Sequence, residues 1–332
     1  MNMFKKGMSV GKIKKVRADS MQKMLAFTSL AMLMIFFSFG SPNFFQTDNL
    51  VAIMLSTAVN GVLAIAVTFV IITAGIDLSL GFVMTFSAVM AGIFITNLGL
   101  PIWIGVLGAL ATGTLCGALS GVMIAKMKIA PFIATLGMMM FTKGISLIIS
   151  GTKPIYFSKT PEYSSISMDS VMGSFFPWLP IPNAVVVFFI VALIASFILN
   201  KTILGRYTFA LGSNEEAIRL SGVNVDKWKI TVYALCGFLC GIAGILMSSR
   251  LNSAQPALGG GAELDAIAAA VIGGASLNGG AGTILGTVIG AFIISVLTNG
   301  LRIMSIRQEW QIVATGIIII FAVYMDILRR KK

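Results

Sequence analysis

The stretch LGRYTFALGSNEEAIRLSGVNVDKWKI, Leu204 to Ile230, is the longest polar, strongly charged segment lying between two apolar runs. Almost everything on either side of it is hydrophobic, so the chain reads as apolar runs joined by short polar connections. Ser213 and Glu216 have the S-x-x-E spacing of a capping box, in which each side chain serves the other's free backbone donor. Gly222 follows where a short helix would end, because glycine takes the left-handed conformation without steric cost. The spacing predicts a helix of about two turns, roughly Asn214 to Ser221. A structured helix in such a connection is a surface built to be touched. A solvated connector with a stray helical turn is the plainer alternative.

Composition bounds the rest. Of 332 residues, 57% are hydrophobic and 11% are charged, against about 25% charged in a soluble domain. The expected fold is an all-α membrane protein, a polytopic helical bundle of about ten transmembrane helices. The net charge of +12 does not indicate a nucleic-acid partner, because the basic residues cluster at the chain ends and in short connections. Cys116, Cys236 and Cys240 sit within apolar runs and read as packing residues. The chain has no histidine, which removes the commonest general base and metal ligand together.

In chain order, residues 1–23 form a basic arm, with Lys5, Lys6, Lys12, Lys14, Lys15, Arg17 and Lys23 against Asp19. The run Met24–Phe39 reads as an uncleaved first span, with the arm held in the cytoplasm by the positive-inside rule. Later spans are expected near Leu50–Thr73, Phe82–Thr96, from Pro101 to an end at Lys126-Met-Lys128, and near Ala130–Ile149, Asn183–Leu199, Ile230–Ser249, Thr283–Leu301 and Trp310–Leu328. Ala262–Asn278 is short and broken by glycines, either a tilted span or a re-entrant segment. Residues 24–328 thus form one transmembrane domain, with an external loop at about 150–182, a cytoplasmic loop at about 200–229 and a basic cytoplasmic tail, 329–332. Both termini inside requires an even number of spans, and about ten satisfies it. Glycine recurs every fourth residue at Gly113, Gly117, Gly121 and at Gly282, Gly286, Gly290. Such faces let helix backbones approach, and tight packing is the favoured reading over a sliding surface.

Catalytic chemistry is sparse. There is no phosphate loop, no H-E-x-x-H and no histidine for a serine triad, and Asp77 with Asp265 is the only conceivable aspartyl pair. No catalytic residue, metal site or cofactor site is expected. Asp77, Glu263 and Asp265 are the acids near membrane depth, where a charge costs about 2.5–3.5 kcal/mol. Such residues face a cavity or a partner, or they cap helix starts. Both readings stay open for Asp77 and Ser79, while Glu263 and Asp265 suit capping or gating of an outer mouth. Asn60, Thr73, Thr135, Gln255 and Asn299 suit a passage for an uncharged hydroxylated solute, or equally hydrogen bonds between helices.

Several stretches together resemble the permease subunit of bacterial ABC importers for monosaccharides, the ribose-type members of the branched-chain amino acid/ribose permease superfamily. They are Ser41-Pro-Asn-Phe-Phe45, Ala74-Gly-Ile-Asp-Leu-Ser-Leu-Gly81, Pro131-Phe-Ile-Ala-Thr-Leu-Gly137, Leu204-Gly-Arg-Tyr207, Ser221-Gly-Val223, Ser253-Ala-Gln-Pro256 and Glu263-Leu-Asp-Ala-Ile-Ala268. The resemblance implies the larger-type importer permease architecture. It implies pairing with a second copy or a sister permease, and a cytoplasmic ABC ATPase subunit that uses ATP and Mg. An extracytoplasmic binding protein would deliver the sugar, ribose first among candidates. Glu216-Ala217 to Gly222 is similar to the E-A-A-x-x-x-G docking loop, with Ile218 in place of the second alanine and no downstream I-x-L-P. On that basis Arg206, Asn214, Glu215, Glu216, Ala217, Arg219 and Gly222 are the expected ATPase-coupling residues. The chain would then be the non-hydrolytic subunit of a translocating complex in the bacterial cytoplasmic membrane. The competing class is a stand-alone secondary transporter or facilitator of small polar solutes, for which the GIDLSLG and GGASLNGG breaks would supply the site.

Overall fold

The computed structural model describes residue 24 and residues 26–175 and 181–330. The expected basic arm 1–23, part of the 150–182 connection and the end of the 329–332 tail lie outside the described residues. Helix α1 (Ala26–Gly40) is short and apolar. It is followed by α2 (Thr47–Ile72), α3 (Leu80–Gly92, extended by a π turn Ile93–Asn97), α4 (Ile102–Ala125) and α5 (Pro131–Ser150). Two short helices, α6 (Ser165–Met168) and α7 (Val171–Phe175), precede α8 (Asn183–Lys201), α9 (Ile203–Ser213) and α10 (Glu215–Leu220). Then come α11 (Val225–Leu251), α12 (Ala262–Ile272), α13 (Ile284–Ile303) and α14 (Gln308–Arg330). Among the described residues, seven helices are long and apolar enough to cross a membrane: α2, α3 with its π turn, α4, α5, α8, α11 and α13.

The post of the bundle is α2. From Gly61 to Ile72 every residue is buried, so this half is apolar on all sides and needs helices all round. It packs against α11, α13, α12 and α8. The glycine faces do the work of close approach. A β-carbon at Gly113 or Gly117 of α4 would overlap the carbonyl oxygens of Gly237 or Tyr233 on α11, and one at Gly286 or Gly290 of α13 would overlap those of Gly273 or Ala269. Tight packing is therefore what both repeats serve.

Two crossings are interrupted. After α2 the chain runs without helix from Thr73 to Ser79, climbing beside α11. A β-carbon on Gly75 would lie 2.6 Å from Tyr233 Oη, Asp77 meets Cys236, and Met84 already packs on Gly244. Helix α3 thus begins well inside the bundle. The second interruption is 252–261. It starts at a two-stranded sheet in which Ser253 and Ala254 of β2 (Ser253–Ala254) pair with Tyr156 and Ile155 of β1 (Ile155–Tyr156). It then descends until Gly259 packs backbone to backbone on Gly81 in the first turn of α3. The 11 residues of α12, about 16 Å long against a core of about 30 Å, finish the crossing. Ala262–Asn278 is thus a short helix, Ala262–Ile272, followed by a turn.

The short helix of the polar island also needs correction. It is α10, Glu215–Leu220, and its cap is Asn214, whose side chain accepts the Ala217 N–H at 2.9 Å. Ser213 instead ends α9 and donates to the Phe209 carbonyl at 2.9 Å, so the Ser213–Glu216 capping box does not form. Asparagine takes the extended cap conformation as readily as serine, which moves the helix start by one residue. Gly222 has φ +80°, as the end of the helix requires.

Gly117→Leu should disrupt the α4–α11 contact at a cost of about 1–3 kcal/mol and lower the unfolding temperature in detergent. Gly144→Ala, with nothing within 4 Å of its β-carbon position, should leave it unchanged. Equal midpoints for the two variants would contradict the packing described.

Candidate functional site

The interrupted crossings place backbone ends and polar side chains at depth. Within the first, Asp77 Oδ1 accepts the Ser79 N–H at 2.8 Å and the Ser79 hydroxyl at 2.6 Å. The Leu78 N–H donates to Thr135 Oγ1 at 3.2 Å, and Thr135 donates to the Pro131 carbonyl at 2.9 Å. Thr73 closes the end of α2 by donating to the Val70 carbonyl at 2.7 Å. Asp77, Ser79, Thr73 and Thr135 are thus occupied in holding a non-helical segment. Within the second interruption, Glu263 is buried and its Oε1 accepts the Gly261 N–H at 3.2 Å, while Oε2 has no partner among the described residues. A β-carbon on Gly81 would lie 2.7 Å from that Oε2, so the free oxygen points at the start of α3, where a helix N-terminus favours negative charge.

Beside this point lies a cavity of about 490 Å³. Ser56 and Asn60 of α2 line it, with Asp265 of α12 and Thr298 and Arg302 of α13. The 258–262 turn and Gln308, Gln311 and Thr315 of α14 complete the wall. Hydroxyls, amides, one carboxylate and one guanidinium thus converge on a space of the size that takes a small molecule. Of the expected path residues, only Asn60 and Asp265 reach it. Gln255 lines a separate pocket of about 10 Å³, room for one water. The carbonyl oxygen of the Asn299 side chain is buried without a partner among the described residues, and Asn299 does not line the large cavity. Ser56, Thr298, Arg302, Gln308, Gln311 and Thr315 escape the sequence reading because they come together only once α2, α13 and α14 are placed. Lys143 escapes it too, although a lysine inside an apolar run is a legible signal. Its ammonium stands 5.3 Å from the Phe82 ring centre.

At the opposite end of the cavity-lining helices sits α10. Glu215 turns inward, accepting from Lys229 of α11 at 2.6 Å and from Arg219 at 3.0 Å. Burial pushes the Glu215 carboxyl up, but its bonds to Lys229 and Arg219 outweigh this and hold it below its ordinary value. Beneath, the Tyr207 ring of α9 meets Trp228 of α11 at 4.7 Å between centres. Lys128 pairs with Asp226 at 3.0 Å. Arg206, Asn214, Glu216, Ala217, Arg219 and Gly222 are all exposed, and Leu220 is 81% exposed. The helix therefore offers Glu216, Ala217 and Leu220 outward, with Glu215 as its inner anchor.

Comparison with known proteins now bears on this geometry. Residues 49–323 match the family described as "Branched-chain amino acid transport system / permease component". The chain is 42% identical over 304 residues to the ribose import permease protein of Haemophilus influenzae, covering 91% of this chain and 92% of that protein. It is 39% identical over 321 residues to the ribose import permease protein of Bacillus subtilis, covering 96% of each. It is 37% identical over 294 residues to the fructose import permease protein of Rhizobium meliloti, covering 87% of this chain and 80% of that protein.

The Glu215 anchor carries a pH signature. Because its folded pKa is depressed, its contribution is present above the unfolded value of about 4.3 and is lost as pH falls through the lower folded value. Glu215→Gln should speed hydrogen exchange of residues 214–222 at neutral pH, and the difference from the parent should vanish in strong acid. An equal rate at neutral pH would show that the ion pairs do not hold α10.

Proposed function

The chain belongs to the branched-chain amino acid transport system permease family, and from that premise we propose that it is the membrane-spanning subunit of an ABC importer for ribose. The observation that carries the proposal is the pairing of a polar cavity at one end of α2, α12 and α13 with an outward-facing helix, α10, at the other. Identity of about 40% to ribose import permeases over nine-tenths of the chain supports the choice of sugar.

In this reading the α10 end faces the cytoplasm. Its connections carry Lys126, Lys128, Lys201, Arg206, Arg219, Lys227 and Lys229, in keeping with the positive-inside rule. The basic arm 1–23 and the tail 329–332 lie on the same side, and the protein sits in the bacterial cytoplasmic membrane. A separate ABC ATPase subunit, using ATP and Mg, docks on Glu216, Ala217, Leu220 and Gly222, with Arg206 and Arg219 at the rim. An external binding protein delivers the sugar above the 150–182 loop and the cavity. A second permease, a further copy of this chain or a sister, completes the pair. This subunit performs no covalent chemistry.

The cavity's chemistry suits a neutral polyol. Amides and hydroxyls of Asn60, Ser56, Thr298, Gln308, Gln311 and Thr315 exchange hydrogen bonds with sugar hydroxyls in place of water, and Asp265 and Arg302 add stronger, charge-assisted ones. ATP binding closes the ATPase pair, α10 shifts as a rigid piece, and the cavity exchanges access from one side to the other. A site built this way rejects a deoxy analogue because a buried polar group is left unpaired.

The test is ribose uptake into proteoliposomes holding this chain with its ATPase, with the binding protein and ribose outside. ATP-dependent uptake that Glu216→Arg abolishes is the expected result; uptake by the chain alone, without ATP, would replace the importer with a secondary transporter. Asp265→Asn should weaken apparent sugar affinity by about 10–100-fold, the value of a hydrogen bond to a charged group, while leaving assembly with the ATPase intact. An unchanged affinity would remove Asp265 from the path.

A further inference from the structure

The last carbonyls of a helix have no donor within it. At the end of α2, the Val70 carbonyl accepts from Thr73 and Gly75 and the Ile71 carbonyl accepts from Ala74, but the Ile72 carbonyl is served by the Gly280 N–H at 2.9 Å. That donor belongs to the turn between α12 and α13. The turn is closed by the Ser276 N–H on the Ala281 carbonyl at 2.9 Å and the Gly279 N–H on the Ser276 carbonyl at 2.8 Å. Gly279 and Gly280 take φ +81° and +72°, a region closed to most side chains.

The last turn of α9 rests on the same point. A β-carbon on Gly212 would overlap the Ile72 carbonyl oxygen and stand 2.6 Å from the Gly280 nitrogen. One on Gly279 would stand 2.7 Å from the Gly212 carbonyl oxygen and 2.9 Å from the Ala74 nitrogen. Three backbones meet here, with only the small side chains of Ala74 and Ser213 beside them. Asn214, the cap of α10, follows Gly212 by two residues. On the other side, α2 carries Ser56 and Asn60, α12 carries Asp265, and α13 carries Thr298 and Arg302.

We infer that Gly212, Ile72 and Gly279–Gly280 form a rigid backbone joint through which α10 repositions the cavity walls, with Gly212 and Gly280 as positioning residues for transport. The inference rests on the importer reading and names the route by which that reading is executed. Side-chain contacts take up displacement by changing rotamer; backbone contacts in a close-packed interior do not. A shift of α9 therefore reaches α2 and the α12–α13 turn undiminished. The joint explains why a glycine stands in the last turn of α9 so close to the α10 cap, where helix propensity alone disfavours it.

A disulfide tests whether the parts move together. A β-carbon on Gly280 would lie 3.6 Å from Ser213 Cβ, within the span of about 3.5–4.5 Å that a disulfide needs. Ser213→Cys with Gly280→Cys should cross-link on oxidation in the complete complex, and the cross-linked complex should import ribose at the rate of its reduced form. The parent carries only the buried Cys116, Cys236 and Cys240 and serves as the oxidation control, with Gly280→Cys alone as the control for the positive φ. Failure to cross-link, or a block of uptake that reduction reverses, overturns the joint. The second variant is Gly212→Val, which forces α9 off Ile72. It should bind the ATPase and hydrolyse ATP while uptake falls by about tenfold or more, the scale of a coupling free energy. Uptake equal to the parent, or loss of assembly, hydrolysis and uptake together, overturns the role. A parent complex with no ATP-dependent uptake would instead sink the importer reading itself.

Discussion

A bilayer offers no donor or acceptor to a backbone that leaves the helix, and three irregular segments among the described residues are built around that constraint. In residues 73–79 the carboxylate of Asp77 and the hydroxyl of Thr135 take the N–H groups of Ser79 and Leu78. In residues 252–261 the chain first pairs with Ile155–Tyr156 and then finds Glu263 at its lower end. In residues 273–283 the turn satisfies itself and lends the Gly280 N–H to α2. An unsatisfied amide in a dry interior costs about 1–3 kcal/mol, so these partners are conditions of the fold before they are anything else. Asn60, Asp265, Thr298 and Arg302 are not among these partners and line the cavity instead. That ordering separates Asp77 from Asp265, two acids at depth with different employment.

The irregular segments also need room, and glycine supplies it. Gly81 against Gly259 brings the first turn of α3 to the loop that leads into α12. Gly273 against Gly286 and Ala269 against Gly290 fix α12 along α13. Helix α12 is held on one flank by α13 and on the other by α2, while its first turn, with Gly261, Ala262, Leu264 and Asp265, opens on the cavity. A longer helix would carry that turn past the cavity. The half-length of α12 is therefore what sets the depth at which Asp265 stands.

The sequence makes the long helices legible because an apolar run of about 20 residues has few other uses. It makes the glycine faces legible because their spacing repeats every helical turn. It misleads where two neighbours offer the same chemistry. Ser213 and Asn214 can each cap a helix, and the choice of Asn214 depends on Ser213 lying inside α9. Glu215 and Glu216 are equally acidic, and only the position of Lys229 on α11 turns Glu215 inward. Helix α9 hides in the polar island because its buried residues are few: Gly205, Thr208 and Leu211. The cavity is hidden for another reason. Arg302 and Gln308 look like ordinary residues at a helix boundary until α2, Asp265 and the 258–262 turn are set beside them.

The distribution of rigidity along α2 argues for how the parts combine. Around Ser56 and Asn60 the helix borders open volume. From Gly61 downward it is buried throughout, with Phe188 over Gly61 and the Thr68 hydroxyl 2.8 Å from that of Thr287 on α13. Below that, its last carbonyl is held by Gly280. A hydrogen bond between two hydroxyls in a dry seam is not readily exchanged for water, and the backbone contact under it leaves no slack. The lower half of α2 thus behaves as one body with α13 and the α12–α13 turn. On the proposed joint, a displacement delivered at Ile72 would appear at the other end of that body, where Asn60, Asp265 and Thr298 line the cavity. A device whose driven end and working end share one stiff core would not need flexible elements in between, and α2 from Gly61 to Ile72 is unbroken, buried helix.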